Sequence, residues 1–355
     1  MTIQELFDKT IENNASDLHL LAGKQPIIRV DGRLVVLSTF EELTNGMIET
    51  LVFSLLSPAQ KEIFINNRSL DFSYAFGGGD YGDRGRFRIN LYYQRNTIAG
   101  AFRLLPPKVK TIEELFLPKI CHRFAELKQG FILVTGPTGH GKSTTIASIV
   151  NEISTTQAVN ILTIEDPIEY VYPKGKSIIS QRELGFDTLS WGESLRSSLR
   201  EDPDVVVIGE MRDPESIASA ITIAETGHLV FSTLHTNSAA QSIDRMIDAF
   251  PEHQQNQIRT QLAGTLEGII SQRLIPKIDG GRIVAVEILI GTNAVKSNIR
   301  EGKTHLIDSI IETSQDSGMI PLETSLADLV RQGLITLDIA QKYALRPESF
   351  LRLLS

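Results

Sequence analysis

A chain of 355 residues, 41% of them hydrophobic, has length for about two domains with cores of their own and excludes the disordered class. With 43 acidic against 35 basic residues the formal charge is -8, which argues against a nonspecific grip on nucleic acid as the main business and leaves only local patches open. The single cysteine, Cys121, excludes an internal disulfide and a cysteine-cluster zinc site, and no apolar run approaches the ~20 residues that span a bilayer.

In chain order, Met1 to Glu5 lack a basic leader, so the expectation is a cytoplasmic protein that meets a membrane only through a partner. Ile3, Leu6, Phe7 and Ile11 fall at helical spacing. Strand-like runs follow at 17–20, 26–30 and 33–37, with the hairpin signal Asp31-Gly32 between the last two. Two helices are predicted at 45–56 and 58–65, then strands at 70–76, 86–95 and 97–105, with the glycine-rich stretch 77–83 as a loop. Pro106-Pro107 and the lysines after them read as a linker, which closes a smaller α+β domain over 1–107. From about Thr111 strands at 131–135, 160–164, 205–208 and 229–234 alternate with helices, the pattern of a parallel sheet covered on both faces in a domain over 108–355. From Asn293 onward the period is helical, with Pro321 and Pro347 at helix starts.

The chemistry begins with Gly136-Pro137-Thr138-Gly139-His140-Gly141-Lys142-Ser143, followed by Thr144, which reads G-x-x-x-x-G-K-S between a strand and a helix. In that setting it is a P-loop: the backbone N–H groups curl around the α- and β-phosphates, Lys142 reaches the β- and γ-oxygens, and the Ser143 hydroxyl ligates Mg²⁺. The helix aims its positive end at the same anion. The chain therefore binds a nucleoside triphosphate, with ATP and Mg²⁺ expected.

Hydrolysis needs further groups. Ile164-Glu165-Asp166-Pro167-Ile168-Glu169 ends one strand, at the sheet rim where α/β proteins bind ligands; a solvated acidic turn is the alternative. A second cluster ends the run 205–208 with Gly209-Glu210, glycine standing where a Walker B strand usually has aspartate, so Glu210 acts on the metal through water or Ser143 and phosphates hold it. His228 and His235 bracket the strand 229–234, and His235 is the favoured phosphate sensor against an ordinary core histidine. Arg86, Arg88, Arg95 and Arg103 lie in the first domain, and alternation puts Arg86 and Arg88 on one face, either a solvated sheet surface or a source of arginine fingers for a neighbour's nucleotide. The segment 294–301, with Val295 and Ile299 four apart, reads as an amphipathic helix, either an ordinary surface helix or one that carries work to a partner, and it is the resemblance described next that implies the second.

The four boxes 136–145, 164–170, 200–213 and 226–237, in that order, resemble the secretion-ATPase superfamily, and within it the type IV pilus retraction ATPases. The likeness extends to Ala15 through Leu20 and Ala294 through Glu301 and so spans nearly the whole chain. It implies a PAS-like first domain, a RecA-like ATPase domain and a homohexameric ring with nucleotide at subunit boundaries. It also implies Glu169 as the catalytic carboxylate, Glu210 as the Walker B glutamate, His228 and His235 as the His box, and Arg88 and Arg103 as arginines that reach a neighbour. The implied partner is the inner-membrane pilus platform protein at the cytoplasmic face, with no direct nucleic-acid contact. His140 departs from the usual serine, but the loop works through backbone N–H groups, so its side chain is free to point away and binding is expected to survive. One cysteine in place of a four-cysteine zinc motif favours retraction over a pilus-extension or type II secretion ATPase. A RecA-like nucleic-acid motor is the rival from another class, and the acidic balance speaks against it.

Overall fold

The computed structural model describes residues 1–30, 32–77, 84–105 and 108–354. Asp31 of the hairpin signal, 78–83 of the glycine-rich loop and Pro106-Pro107 of the linker lie outside the described residues. The chain is α/β and forms two compact units, Met1–Lys108 with Pro167–Val171, and Val109–Asp166 with Tyr172–Ser355. The pentapeptide inside the first acidic box, which carries Glu169, thus packs with the first unit.

The first unit is a smaller α+β domain with a six-stranded antiparallel sheet: β1 Asp17–Leu21, β2 Ile27–Val30, β3 Arg33–Val36, β4 Ser69–Phe76, β5 Gly85–Gln94 and β6 Thr97–Leu105, in the order β3-β2-β1-β6-β5-β4. Helix Ile3–Glu12 begins in a Thr2/Glu5 capping box that satisfies two of its orphan N–H groups, and it buries Ile3, Leu6 and Phe7. Phe7 stacks on Phe87 with ring centroids 4.1 Å apart. β5 alternates as a one-sided strand must, with Phe87, Ile89 and Leu91 inward and Arg86 and Arg88 on the opposite face. It stops at Gln94, one residue before the sequence expectation, because Arg95 and Asn96 take φ of 46° and 60° to make a two-residue hairpin turn into β6. The helical pair forms at Asn45–Phe53 and Pro58–Asn67.

The second unit is RecA-like, built on a seven-stranded sheet: β7 Gly130–Thr135, β8 Asn160–Glu165, β9 Ile178–Glu183, β10 Val205–Ile208, β11 Leu229–Leu234, β12 Leu266–Pro276 and β13 Arg282–Ile290. The order is β13-β12-β7-β11-β10-β8-β9, parallel throughout except for β13, which returns antiparallel beside β12. The central strands are buried on both faces: Phe131, Leu133, Val206 and Ile208 enter one apolar cluster, and Ile132, Val134, Val205 and Val207 the other.

Three strands lie outside the sequence expectation. β9 has only Ile178 and Ile179 before it turns polar, as an edge strand does. β12 follows helix Glu252–Thr265 with no breaker residue between them. The one local signal was Asp279-Gly280-Gly281 between two apolar runs, which joins β12 to β13. The last part is helical as expected, with Pro321 before Leu322–Arg331 and Pro347 opening Pro347–Leu354. Among the described residues no helix is long and apolar enough to cross a membrane.

A candidate nucleotide site at the carboxyl end of the parallel sheet

β7 ends at Thr135, and the loop that follows is shaped by glycines with φ of 145° at Gly136, 77° at Gly139 and 84° at Gly141. At Gly136 a side chain is excluded twice, by φ and because a Cβ would lie 2.5 Å from the Gln272 carbonyl oxygen. Helix Lys142–Thr156 starts at Gly141 with no side-chain cap, so its first N–H groups are left for an anion. Lys142 is buried, and its ammonium donates to the carbonyls of Gly136 at 2.9 Å and Pro137 at 3.2 Å. Ser143 and Thr144 open the helix half-buried.

β10 and β11 deliver two more groups to the same end. His235 Nδ1 lies 3.2 Å from Lys142 Nζ and 3.3 Å from the Thr138 hydroxyl, and its Nε2 lies 3.2 Å from Glu210 Oε1. An ammonium only donates, so Nδ1 is the acceptor and the proton sits on Nε2, where it is donated to Glu210. Burial, and then the Lys142 charge, hold the His235 pKa below its ordinary 6.5, so the ring is neutral at neutral pH. Glu210 is also paired with Arg212 at 3.0 Å. Gly209 donates its N–H to the Ile164 carbonyl at 2.9 Å and accepts from the Thr233 hydroxyl at 2.7 Å, which continues β10 to the residue before the glutamate. At the end of β8, Glu165 accepts from Thr163 at 2.6 Å and Gln181 at 3.2 Å.

Not all of the expected residues converge. β11 runs parallel to β7, with Leu229 beside Gly130 and Leu234 beside Thr135. His228 therefore stands at the amino end of the strand, roughly 20 Å from His235. It hydrogen-bonds the Thr226 hydroxyl and the Ile223 carbonyl, both at 3.0 Å. His228 thus caps the end of helix Pro214–Glu225, and of the two histidines expected in the His box it is His235, the favoured phosphate sensor, that meets the P-loop in this chain. Arg88, Arg103 and Glu169 belong to the first unit. Arg88 and Arg103 are directly opposite on β5 and β6, Arg88 paired with Asp71 at 2.7 Å and 3.9 Å from Glu169, Arg103 with Asp17 at 3.1 Å.

The His140 side chain is turned onto β12. Its Nδ1 accepts the Leu274 N–H at 3.1 Å, and its carbonyl accepts from Gln272 at 2.6 Å. Burial, and then Arg273 and Lys142, lower its pKa and keep it an acceptor. β12 is thereby the wall of the phosphate-binding loop, and Gln272 and Arg273 are site residues that the sequence reading missed.

The family described as Type II/IV secretion system protein matches residues 114–338. The chain belongs to this family. Within the type II/IV secretion family it is 44% identical to the type IV pilus retraction ATPase PilT of Pseudomonas aeruginosa over 350 residues, which covers 99% of this chain and 100% of that protein. It is 45% identical to a twitching motility protein of Neisseria gonorrhoeae over 91% of this chain and 85% of that protein. The crystal structure of the pilus retraction motor PilT with bound ADP superposes with a TM-score of 0.91 at 45% identity, covering 99% of both chains. The resemblance drawn from the four boxes thus extends along the family member's whole length, first unit included.

Proposed function

We propose that this chain is a cytoplasmic motor that hydrolyses ATP to drive type IV pilus retraction and twitching motility. The observation that carries it is the Lys142–His235–Glu210 constellation at the P-loop, on a chain that aligns end to end with PilT. In this reading Lys142 leaves its loop carbonyls for the β- and γ-phosphates, and neutral His235 turns toward the γ-phosphate while Glu210 holds its tautomer. Gly136, Pro137, Thr138, Gly139, His140, Gly141, Ser143 and Thr144 form the cradle.

Among the described residues no cluster of three acidic, histidine or cysteine side chains could hold a metal alone. The half-buried Ser143 hydroxyl would hold Mg²⁺ together with phosphate oxygens and water, with Glu210 acting through water. When bound, the ion neutralises charge on the β- and γ-oxygens. Glu169 orients the attacking water. Arg88 and Arg103 exchange their carboxylate partners for a neighbour's nucleotide in a homohexameric ring, which pushes on the inner-membrane platform protein from the cytoplasmic face.

The test has two halves. Purified protein is expected to hydrolyse ATP without stimulation by DNA, and Glu169→Gln is expected to bind ATP without turning it over. Deletion of the gene is expected to abolish twitching and leave cells with excess pili. Loss of pili on deletion would assign the motor to extension instead; turnover that needs DNA would assign it to nucleic acid.

A further inference from the structure

The loop that carries His235 is held from the antiparallel end of the sheet. Alternation along β12 sends Gln272 to one face, where it bonds the P-loop at His140, and Arg273 to the other. The buried Arg273 guanidinium donates to its own strand at Gln272 O at 3.0 Å and, through Nη2, to Asn237 O at 2.8 Å and Asn237 Oδ1 at 3.0 Å. On the same face Glu287 of β13, 1% exposed, accepts the Ala239 N–H at 2.7 Å. Asn237 and Ala239 are two and four residues after His235.

These partners are unusual for an ionised side chain. The three oxygens that accept from Arg273 here are neutral, and burial lowers its pKa. A buried guanidinium so arranged is a weak source of stability, because a well-packed apolar residue of similar volume often does as well. Its fork geometry supplies something an apolar residue lacks, a fixed distance between one strand and one loop. The same strand presses its Gln272 carbonyl against Gly136, so both walls of the phosphate cradle are referenced to residues 272–273.

We infer that Arg273 and Glu287 are positioning residues for the hydrolytic step: from β12 and β13 they clamp Asn237–Ala239 and so fix His235 against the P-loop. The inference rests on the reading of His235 as the group that meets the γ-phosphate. Neither residue touches nucleotide. Both act through the histidine, so their loss lowers turnover while leaving the grip on the diphosphate part, which the P-loop makes alone.

The experiment compares Arg273→Gln, His235→Ala and the double variant for kcat and KM with ATP and for affinity toward a fluorescent ADP, with circular dichroism as the folding check. Arg273→Gln is expected to lose about 10- to 100-fold in kcat with ADP affinity held within about threefold, since a small misplacement of a reacting group suffices for such a loss. The double variant is expected to be no slower than His235→Ala, because the clamp has nothing left to position. Should Arg273→Gln fail to fold, Arg273→Lys keeps the charge without the fork and is expected to show the same split more weakly. Losses that multiply in the double variant, an ADP affinity that falls in step with kcat, or wild-type kcat in a folded Arg273 variant would each overturn the inference. If instead His235→Ala itself turns over normally, the reading of the histidine is wrong and the clamp falls with it.

Discussion

Replacing Glu287 by glutamine tests the electrostatics of this buried corner through stability alone. The carboxyl is 1% exposed, one oxygen accepts from Ala239 and the other has no hydrogen-bond partner. Burial pushes it up from 4.5 to about 7; the Ala239 N–H and Arg346 oppose the rise, and Asp308 and Glu323 add to it. Between those values the folded protein keeps a proton that the unfolded chain has released, so stability falls as pH rises, by about 1.4 kcal/mol per unit. Over the window this amounts to about 3 kcal/mol. Below 4.5 both states are protonated and above 7 both are ionised, so the contribution is flat outside the window. Glu287→Gln keeps the acceptor for Ala239 and removes the titration. Urea unfolding of both proteins without nucleotide, at one concentration and at several pH values from 5 to 8, is the assay, because bound nucleotide or changing assembly would shift both curves. The stability difference is expected to move by about 2.5 kcal/mol in favour of the glutamine variant between the ends of that range, which starts half a unit inside the window. Parallel curves would show that Glu287 does not carry its proton into the neutral range, and a drift in favour of the parent would reverse the reasoning.

Three further outcomes follow from the geometry. Gly136→Ala is expected to destabilise the second unit by about 2–4 kcal/mol, since the new Cβ meets a backbone oxygen that cannot move without its strand, whereas Gly139→Ala meets no atom within 4 Å and is expected to lose only about 1–2 kcal/mol to its positive φ; denaturant midpoints separate them. An Arg103→Ala chain mixed with a Lys142→Ala chain, each inactive alone, is expected to recover part of the ATPase activity, and confirmed mixed rings without recovery would make the arginine either a group acting within its own chain or a merely structural one. In helix Asn293–Arg300, Ile299 is fully buried in the core, so Ile299→Ala is expected to lose about 2–5 kcal/mol and says nothing of force transmission; exposed Arg300→Ala is the usable probe, expected to keep turnover and lose twitching.

That last distinction shows where sequence reading runs short. Val295 and Ile299 were visible as one apolar face, but periodicity cannot tell a face that meets the protein's own core from one offered to a partner. His228 is a different case. A histidine at each end of one six-residue strand already implies opposite ends of the sheet, so the separation was legible before any coordinates.

The sequence by itself determined the P-loop and its helix, the first unit's antiparallel strands and the four central parallel strands, because each is encoded by neighbours in the chain: glycines at positions of positive φ, β-branched runs, capping residues, alternation. Only the tertiary structure decided that 167–171 packs with the first unit and that β12 is the wall of the cradle. It alone decided that Arg273 and Glu287 hold the loop of His235. Gln272 and His140 are 132 residues apart, and no local propensity records a hydrogen bond between them. Such contacts exist only after strand order is set, when pairing β12 beside β7 carries two consecutive side chains to opposite faces of the sheet.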